Sequence, residues 1–306
     1  MLSAIACRIF HGLAVLLMIG VANSARAEAP GKALPVTLVL SEHSATFDEF
    51  EAALKSILSK RGINTSAIDL AQPVPASGLV VALGIKAATV VAASNAEAVL
   101  NVFISRASHA KLLRDFPRRI QSSIFIDQPV ARQARLIAAI YPDKQNVGLL
   151  YSTPPEELES LRNELTGHGM KLQEQAVSVA HPLADALNEV LLRSEVLFVL
   201  PDSEVYNSAT LRNILLSTYR NNVPLVGISP GYVKAGALCA LISTPEQIAQ
   251  QAGLMIRQYH DTLSLPVAQY PKEFEVLVNE QVSRSLGMHI KSSAELYDLI
   301  STASRQ

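Results

Sequence analysis

Val147-Gly-Leu-Leu-Tyr151 is a short apolar run, followed by Ser152-Thr-Pro-Pro155 and a helical pattern over residues 156–168. The same strand-then-helix unit recurs on both sides. Downstream lie Val196-Leu-Phe-Val-Leu200, a helical pattern over residues 207–219, and Leu225-Val-Gly-Ile228. Upstream, the near-continuous run Val36-Thr-Leu-Val-Leu40 precedes Phe47, Phe50, Leu54, Ile57 and Leu58 at helical spacing. Leu79-Val-Val-Ala-Leu83 precedes a helical stretch over residues 86–93, and a run over 99–104 precedes one over 108–116. Strands read as unbroken apolar runs when helices cover both faces of their sheet. Alternation on this scale predicts an α/β fold with parallel sheets. Two series of units, with a break near residues 122–129, predict two doubly wound lobes. From Gly236 on, the sequence adds a strand, a helix over 245–259, the proline-punctuated link 265–271 and a final strand over 274–278.

The N-terminus reads as an export address. Arg8 precedes an apolar run over residues 13–22, and Ala25-Arg-Ala27 has the small residues that a signal peptidase requires. The run is shorter than the about 20 residues of a membrane span. Residues 1–27 are therefore expected to be a signal peptide, with the mature chain starting at Glu28 in the periplasm. The 306 residues carry 26 Lys and Arg against 27 Asp and Glu; without Arg8 and Arg26 the basic count is 24 and the net charge −3. With no basic run, nothing points to nucleic acid as a partner. Cys239 is the one cysteine beyond the address, so no intramolecular disulfide is expected. Within Gly236-Ala-Leu-Cys-Ala-Leu241 it reads as an inert core thiol.

Tyr141-Pro-Asp-Lys-Gln-Asn-Val-Gly-Leu-Leu-Tyr151 resembles the second-lobe opening of the ABC transporter substrate-binding proteins related to the tryptophan/tyrosine-binding periplasmic proteins. Pro201-Asp202, Asn222-Val-Pro-Leu-Val-Gly-Ile-Ser229 and Tyr232-Val-Lys-Ala-Gly-Ala-Leu238 resemble that family's later strand ends, in order. Asn279-Glu-Gln-Val-Ser-Arg-Ser-Leu-Gly-Met-His-Ile290 resembles its C-terminal signature. The resemblance spans roughly residues 34–300. It implies a type I periplasmic-binding-protein flytrap: two Rossmann-like lobes, a hinge of three crossing segments, and a ligand in the cleft. Residues 28–123 with 245–264 would form lobe 1, and 124–244 with 272–301 lobe 2. The crossings would lie near 123–128, 242–244 and 265–271.

Two features depart from that family. Residues 71–78, with two prolines, are all that separates an apparent strand over 66–70 from the next. About eight extended residues reach about 26 Å, enough to cross over but too few for a helix. Lobe 1 is thus expected to lack one covering helix, leaving a sheet face open to a partner or capped by other segments. Ile85 also stands after Gly84, where the family carries a small hydroxylated residue. That bears against a standard amino-acid ligand.

In open α/β sheets, ligands bind beyond the carboxyl ends of the strands, beside helix N-termini. This rule selects Ser41 and His43, Gly84 and Ile85, and Ser105 and Arg106 in lobe 1. In lobe 2 it selects Ser152, Thr153, Asp202, Tyr206, Ser229 and Tyr232. Arg106 would clasp a ligand carboxylate bidentately, or stand solvated in its loop. Asp202 would pair with a ligand ammonium or cap the following helix. Tyr206 and Tyr232 would stack on a flat ligand or pack at the rim. Ser41, Ser152 and Thr153 suit both helix capping and ligand binding.

Enzyme readings are weaker. The histidines beyond the address show no metal-ligand spacing with Cys or Asp. Gly227-Ile-Ser-Pro-Gly231 fits the G-x-S-x-G nucleophile elbow in form. That elbow's oxyanion hole needs the N–H of the residue after the serine, and Pro230 has none. The reading that results is a monomeric periplasmic solute-binding protein of an ABC-type importer, without cofactor or metal. Its ligand would be a small organic molecule, amino-acid-like ones included, and its partner a permease. The alternative is a binding module that has left transport to serve an envelope receptor as sensor or accessory.

Overall fold

The structure is a computed structural model describing residues 34–302 apart from 118, 119 and 144. Residues 1–27, which the sequence reading expects to be a signal peptide, and Glu28 lie outside the described residues. Among those described, no helix is long and apolar enough to cross a membrane.

The chain begins with β1 (Val36–Leu40), α1 (Ala45–Ser59), β2 (Thr65–Asp69), β3 (Leu79–Leu83), α2 (Gly84–Ala92), β4 (Ala98–Ile104), α3 (Arg106–Asp115) and β5 (Ile120–Phe125). Its five strands form one parallel sheet in the order β2-β1-β3-β4-β5. Every residue of β1 and β3 is buried, which is why both read as apolar runs. Leu38, Leu79 and Val81 face one core with Phe50 and Leu54 of α1. Val39, Val80 and Ala82 face the other, with Ala88 and Val91 of α2 and Leu112 of α3.

The second series runs through α4 (Val130–Ile140), β6 (Asn146–Tyr151), α5 (Leu158–Gly167), β7 (Lys171–Ala176), α6 (Leu183–Arg193), β8 (Val196–Phe198), α7 (Leu211–Arg220), β9 (Leu225–Gly227), α8 (Pro230–Ala235) and β10 (Cys239–Ile242). It closes with α9 (Pro245–Thr262), β11 (Glu275–Val278), α10 (Glu280–Ser285) and α11 (Ser293–Thr302). The six strands order as β11-β10-β9-β8-β6-β7. All pairs are parallel except β10–β11, which is antiparallel. Parallel neighbours need a covering crossover, whereas β11 arrives along an extended link and joins the edge in the opposite sense.

α9 leaves the second sheet and returns to the first. Ile248, Ala252, Met255, Ile256 and Tyr259 pack with Phe50, Leu54 and Leu58 of α1. A Cβ on Gly253 would stand 2.8 Å from Ile57 Cγ2, so the two helices meet where no side chain intervenes. A capping box of Thr244 with Gln247, and Pro245 in the first turn, start α9 abruptly.

The link from β2 to β3 carries no helix, as its length requires. The face left uncovered is capped by that link itself. Leu70 and Val74 pack against the cluster that contains Val39, Val80 and Val91. Two other details differ from the sequence reading. α7 starts at Leu211 instead of residue 207, because the Asn207 side chain accepts from Ala209 and Thr210 N–H and holds a turn there. β5, missed in the sequence because Gln121-Ser-Ser123 interrupts its apolar pattern, is a full sheet member. Its buried Ser123 hydroxyl is paired with His109 Nδ1 at 2.7 Å.

Candidate functional site

A cavity of about 380 Å³ lies where the carboxyl ends of β4 and β5 in the first sheet meet those of β6, β8 and β9 in the second. The volume suits a small organic ligand. The first sheet contributes Ser105, Arg106 and residues 126–128; the second contributes residues around Tyr151–Glu157, Leu200–Asp202 and Ile228–Ser229. Tyr270, in the link between α9 and β11, completes the wall.

In the second sheet the strand order reverses between β6 and β8, and the cavity opens at that switch point. In the first sheet the reversal lies between β1 and β3, yet the wall comes from β4 and β5. The β1 and β3 ends are filled by the chain itself. Ser41 Oγ accepts from Ala87 N–H at 2.9 Å, capping α2. Gly84 has φ +82, and a Cβ there would meet Ser41 Oγ at 2.8 Å and Phe47 at 2.9 Å. Gly84→Ala is expected to lower stability by about 1–2 kcal/mol, since it adds a left-handed alanine and a clash. Chemical denaturation measures this; an unchanged midpoint would show that the loop relaxes freely.

β4 carries a bulge next to the site. Phe103 has φ +57, and the register to β5 shifts between Val102 and Ile104. Bulges re-aim the residues that follow them. Here Phe103 turns onto Phe47 and Phe50, at 5.6 and 5.2 Å between centroids, and Ser105 and Arg106 follow in the cavity wall.

Of the residues selected from the sequence, Ser105, Arg106, Thr153, Asp202 and Ser229 line this cavity. Ser152 is joined to Asp202. The others stand apart. Ser41 and Gly84 are occupied as described, and Ile85 is exposed. His43 is exposed beside Asp48 and Asp69. Tyr206 is buried in a cluster with Leu150 and Val205. Tyr232 packs over Gly227, whose absent Cβ would be 2.5 Å from Tyr232 Cβ. Among the described residues, no histidine lines the cavity with Ser229.

Asp202 is a loop staple. Oδ2 accepts from Ser152 N–H at 2.6 Å and Ser152 Oγ at 2.8 Å, and Oδ1 accepts from Glu204 and Val205 N–H at 3.0 and 3.1 Å. Arg106 splits between backbone and side chain. Its N–H donates to Asp127 Oδ2 at 2.6 Å, while Nη1 reaches Glu157 at 2.6 Å and Glu156 at 3.4 Å. The hydrogen bond to Glu157 holds the guanidinium pKa above its usual value. Tyr270 OH also donates to Glu157, at 3.4 Å, and burial, then the charge of Glu157, pushes its pKa up to about 12. Burial pushes the Asp127 carboxyl up to about 6, opposed by its bond from Arg106 N–H. Asp127 and Tyr270 were not among the residues selected from the sequence. Asp127 follows the carboxyl end of β5, whose interrupted apolar pattern hides the strand, and Tyr270 lies in a connecting segment that no local pattern marks.

Behind the cavity, three connections between the sheets are tied together. Gln128 Nε2 donates to Ser243 Oγ at 2.9 Å, and Ser243 Oγ to Glu273 O at 2.6 Å. Arg132 donates to Gln128 Oε1 and Pro271 O at 2.6 and 3.1 Å and lies over the Phe274 ring. Gln251 joins Tyr270 O and Lys272 N–H. Phe125 N–H donates to Gln269 O and Gln269 N–H to Ser123 O, a short parallel ladder. Burial lowers the Arg132 pKa to about 10, which leaves it charged at neutral pH.

Among the described residues, no group of three His, Cys, Asp or Glu is placed to hold a metal ion. Cys239 is buried, and burial pushes its thiol pKa up.

A family model described as ABC transporter substrate binding protein matches residues 120–296, more than half of the chain. No curated protein sequence matches. Similar solved structures include a conserved domain protein from Vibrio cholerae, 18% identical with a TM-score of 0.60, covering 87% of this chain and 98% of that one. An ABC domain from Streptococcus pneumoniae in complex with L-Trp is 16% identical with a TM-score of 0.60, covering 86% and 98%. A ligand-free, open substrate-binding protein with adhesive properties from Clostridium difficile is 15% identical with a TM-score of 0.64, covering 85% and 96%. At these identities the likeness is one of fold: two lobes, each built on an α/β sheet.

Proposed function

Since the chain belongs to the ABC transporter substrate binding protein family, whose members bind rather than transform their ligands, we propose that it is the periplasmic ligand clamp of an ABC-type importer. The observation that carries this reading is the cavity wall, shared between the strand ends of two sheets and backed by three tied connections. Residues 28–123 with 245–264 act as one lobe, and 124–244 with 272–301 as the other. The segments near 123–128, 242–244 and 265–271 act as the hinge. A ligand that touches both lobes favours their closure by its differential affinity for the closed form. The segment 1–27 directs export.

The ligand is a small organic molecule, of the size class to which amino acids belong. Ser105, Arg106, Thr153 and Ser229 stand at the cavity as polar contacts, with Asp202 holding the Ser152 loop in place. The alternative is an accessory or sensor module, which the shortened 71–78 crossover would favour. Leu70 and Val74 pack on the sheet face that it leaves without a helix, which weighs against that reading.

A thermal-shift screen of the purified protein against amino acids, amines, organic acids, sugars and peptides tests the clamp. A ligand at 100 times its Kd stabilises the fold by about 2.7 kcal/mol. A hit that also reduces the radius of gyration in solution scattering supports closure. A hit without compaction, or no hit in any class, counts against it.

A further inference from the structure

Several positions around the cavity that would receive a ligand anion are filled by the protein's own side chains, mostly carboxylates. At the N-terminus of α3, where backbone N–H groups favour negative charge, Asp127 takes the Arg106 N–H. The Ser108 N–H of the same turn goes to Ser105 Oγ. After β6, Asp202 takes the Ser152 N–H and hydroxyl, and the Glu204 and Val205 N–H groups opposite. The one cation among the described residues of the wall, Arg106, is engaged by Glu157 and Glu156. A ligand carboxylate would have to displace one of these partners and sit among the rest.

The same wall suits positive charge. Four carboxylates line it (Asp127, Glu156, Glu157 and Asp202) against the single guanidinium, an excess of three negative charges when all are ionised. Asp127 is half-buried and accepts from N–H groups of the backbone, its own and that of Arg106. A carboxylate so placed is poorly compensated until a cation meets it. The Tyr151 and Tyr270 rings stand in the same wall, and aromatic faces attract ammonium and guanidinium groups. Ile126, Leu150, Leu200 and Ile228 supply apolar wall, beside the uncharged polar Ser105, Gln128, Gln133, Thr153 and Ser229.

We propose that the cavity takes a compact organic cation, an ammonium or guanidinium on an apolar or aromatic body without a carboxylate, and discriminates against zwitterionic amino acids. This rests on the clamp reading, of which it specifies the ligand class.

The test is isothermal titration calorimetry of the full protein at pH 7.5 with matched pairs that differ by one carboxylate. The pairs are tyramine with tyrosine, tryptamine with tryptophan, agmatine with arginine, and cadaverine with lysine. At least one amine is expected to bind tenfold or more tighter than its amino acid. Asp127→Asn keeps an acceptor for the Arg106 N–H and is expected to weaken that amine tenfold or more; Glu157→Gln is a second variant should the first fail to fold. Equal or tighter binding of the amino acid in every pair overturns the cation assignment and leaves the clamp standing. Amine affinity unchanged in both variants overturns it as well. If no member of the panel binds, the cation assignment falls, and the clamp is then judged by the wider screen of sugars, acids and peptides.

Discussion

Asp202→Asn is expected to destabilise the protein by about 2–4 kcal/mol, although the substitution is isosteric. All four groups around this carboxylate are donors: the N–H and hydroxyl of Ser152, and the N–H groups of Glu204 and Val205. An asparagine has one acceptor oxygen and one NH₂. Whichever way it is turned, its NH₂ faces backbone N–H donors on one side. At least one backbone N–H loses its partner, and the charge-assisted character of the others is lost too. The loops after β6 and β8 would then separate at the switch point. Urea denaturation measures the effect, and hydrogen exchange locates it. A loss under about 0.5 kcal/mol would show that the loops are held by apolar packing instead.

The same replacement a short distance away in the same wall should act in the opposite direction. Asp127→Asn is expected to raise the stability of the ligand-free protein at pH 7.5 by about 2–3 kcal/mol. Burial holds the Asp127 pKa at about 6, above its ordinary 3.8, so the ionised form is the disfavoured one in the folded chain. Between those two values the folded state binds a proton that the unfolded state has released. Stability therefore falls as pH rises through that window, and the full penalty is present above about pH 6. Asparagine carries no such penalty and still accepts from Arg106 N–H. His109 and His260 work against this trend, since burial lowers both pKa values and acid must charge buried rings. The reading is therefore the difference between variant and parent. Melting curves from pH 7.5 to 4 should show that difference shrink towards zero. A difference independent of pH would mean that Asp127 does not titrate in this range.

Together the two variants separate roles that look identical in sequence. Both residues end or follow a strand, both face the cavity, and both are aspartates. One is saturated by donors and holds the wall together; the other is under-compensated and lines the cavity.

The two-sheet layout was legible because burial on both faces writes it into single strands such as Val36–Leu40 and Leu79–Leu83. The helix missing between β2 and β3 was legible from chain length alone. Edge elements were harder. β7 reads Lys-Leu-Gln-Glu-Gln-Ala, with no residue fully buried, and carries no apolar signature. α6, with Leu183, Leu187, Val190 and Leu191 on its inner side, had a signal that went unread. The antiparallel sense of β11 beside β10 is set by the long-range pairing of Cys239–Ile242 with Glu275–Val278, which no local pattern records.

The site was half legible. The strand-end rule selected five residues that line the cavity, four of them in the loops after β4, β6 and β8, and Ser229 after β9. It also selected Ser41, His43, Gly84 and Ile85, which do not. In the first sheet, Phe47 and Ser41 close over Gly84, and a bulge at Phe103 precedes the β4 end in the wall. The sequence by itself determined two parallel sheets, their order of appearance, the crossover without a helix and the family. The sheets and the crossover follow from local burial patterns and chain reach, and the family from motifs that resemble its members in order. The tertiary structure decided which strand ends make the cavity, which carboxylate is satisfied, and that Asp127 belongs to the site at all. A donor or a charge partner comes from segments far apart in the chain, such as Ser152 with Asp202 or Arg106 with Glu157, and only folding sets their separation.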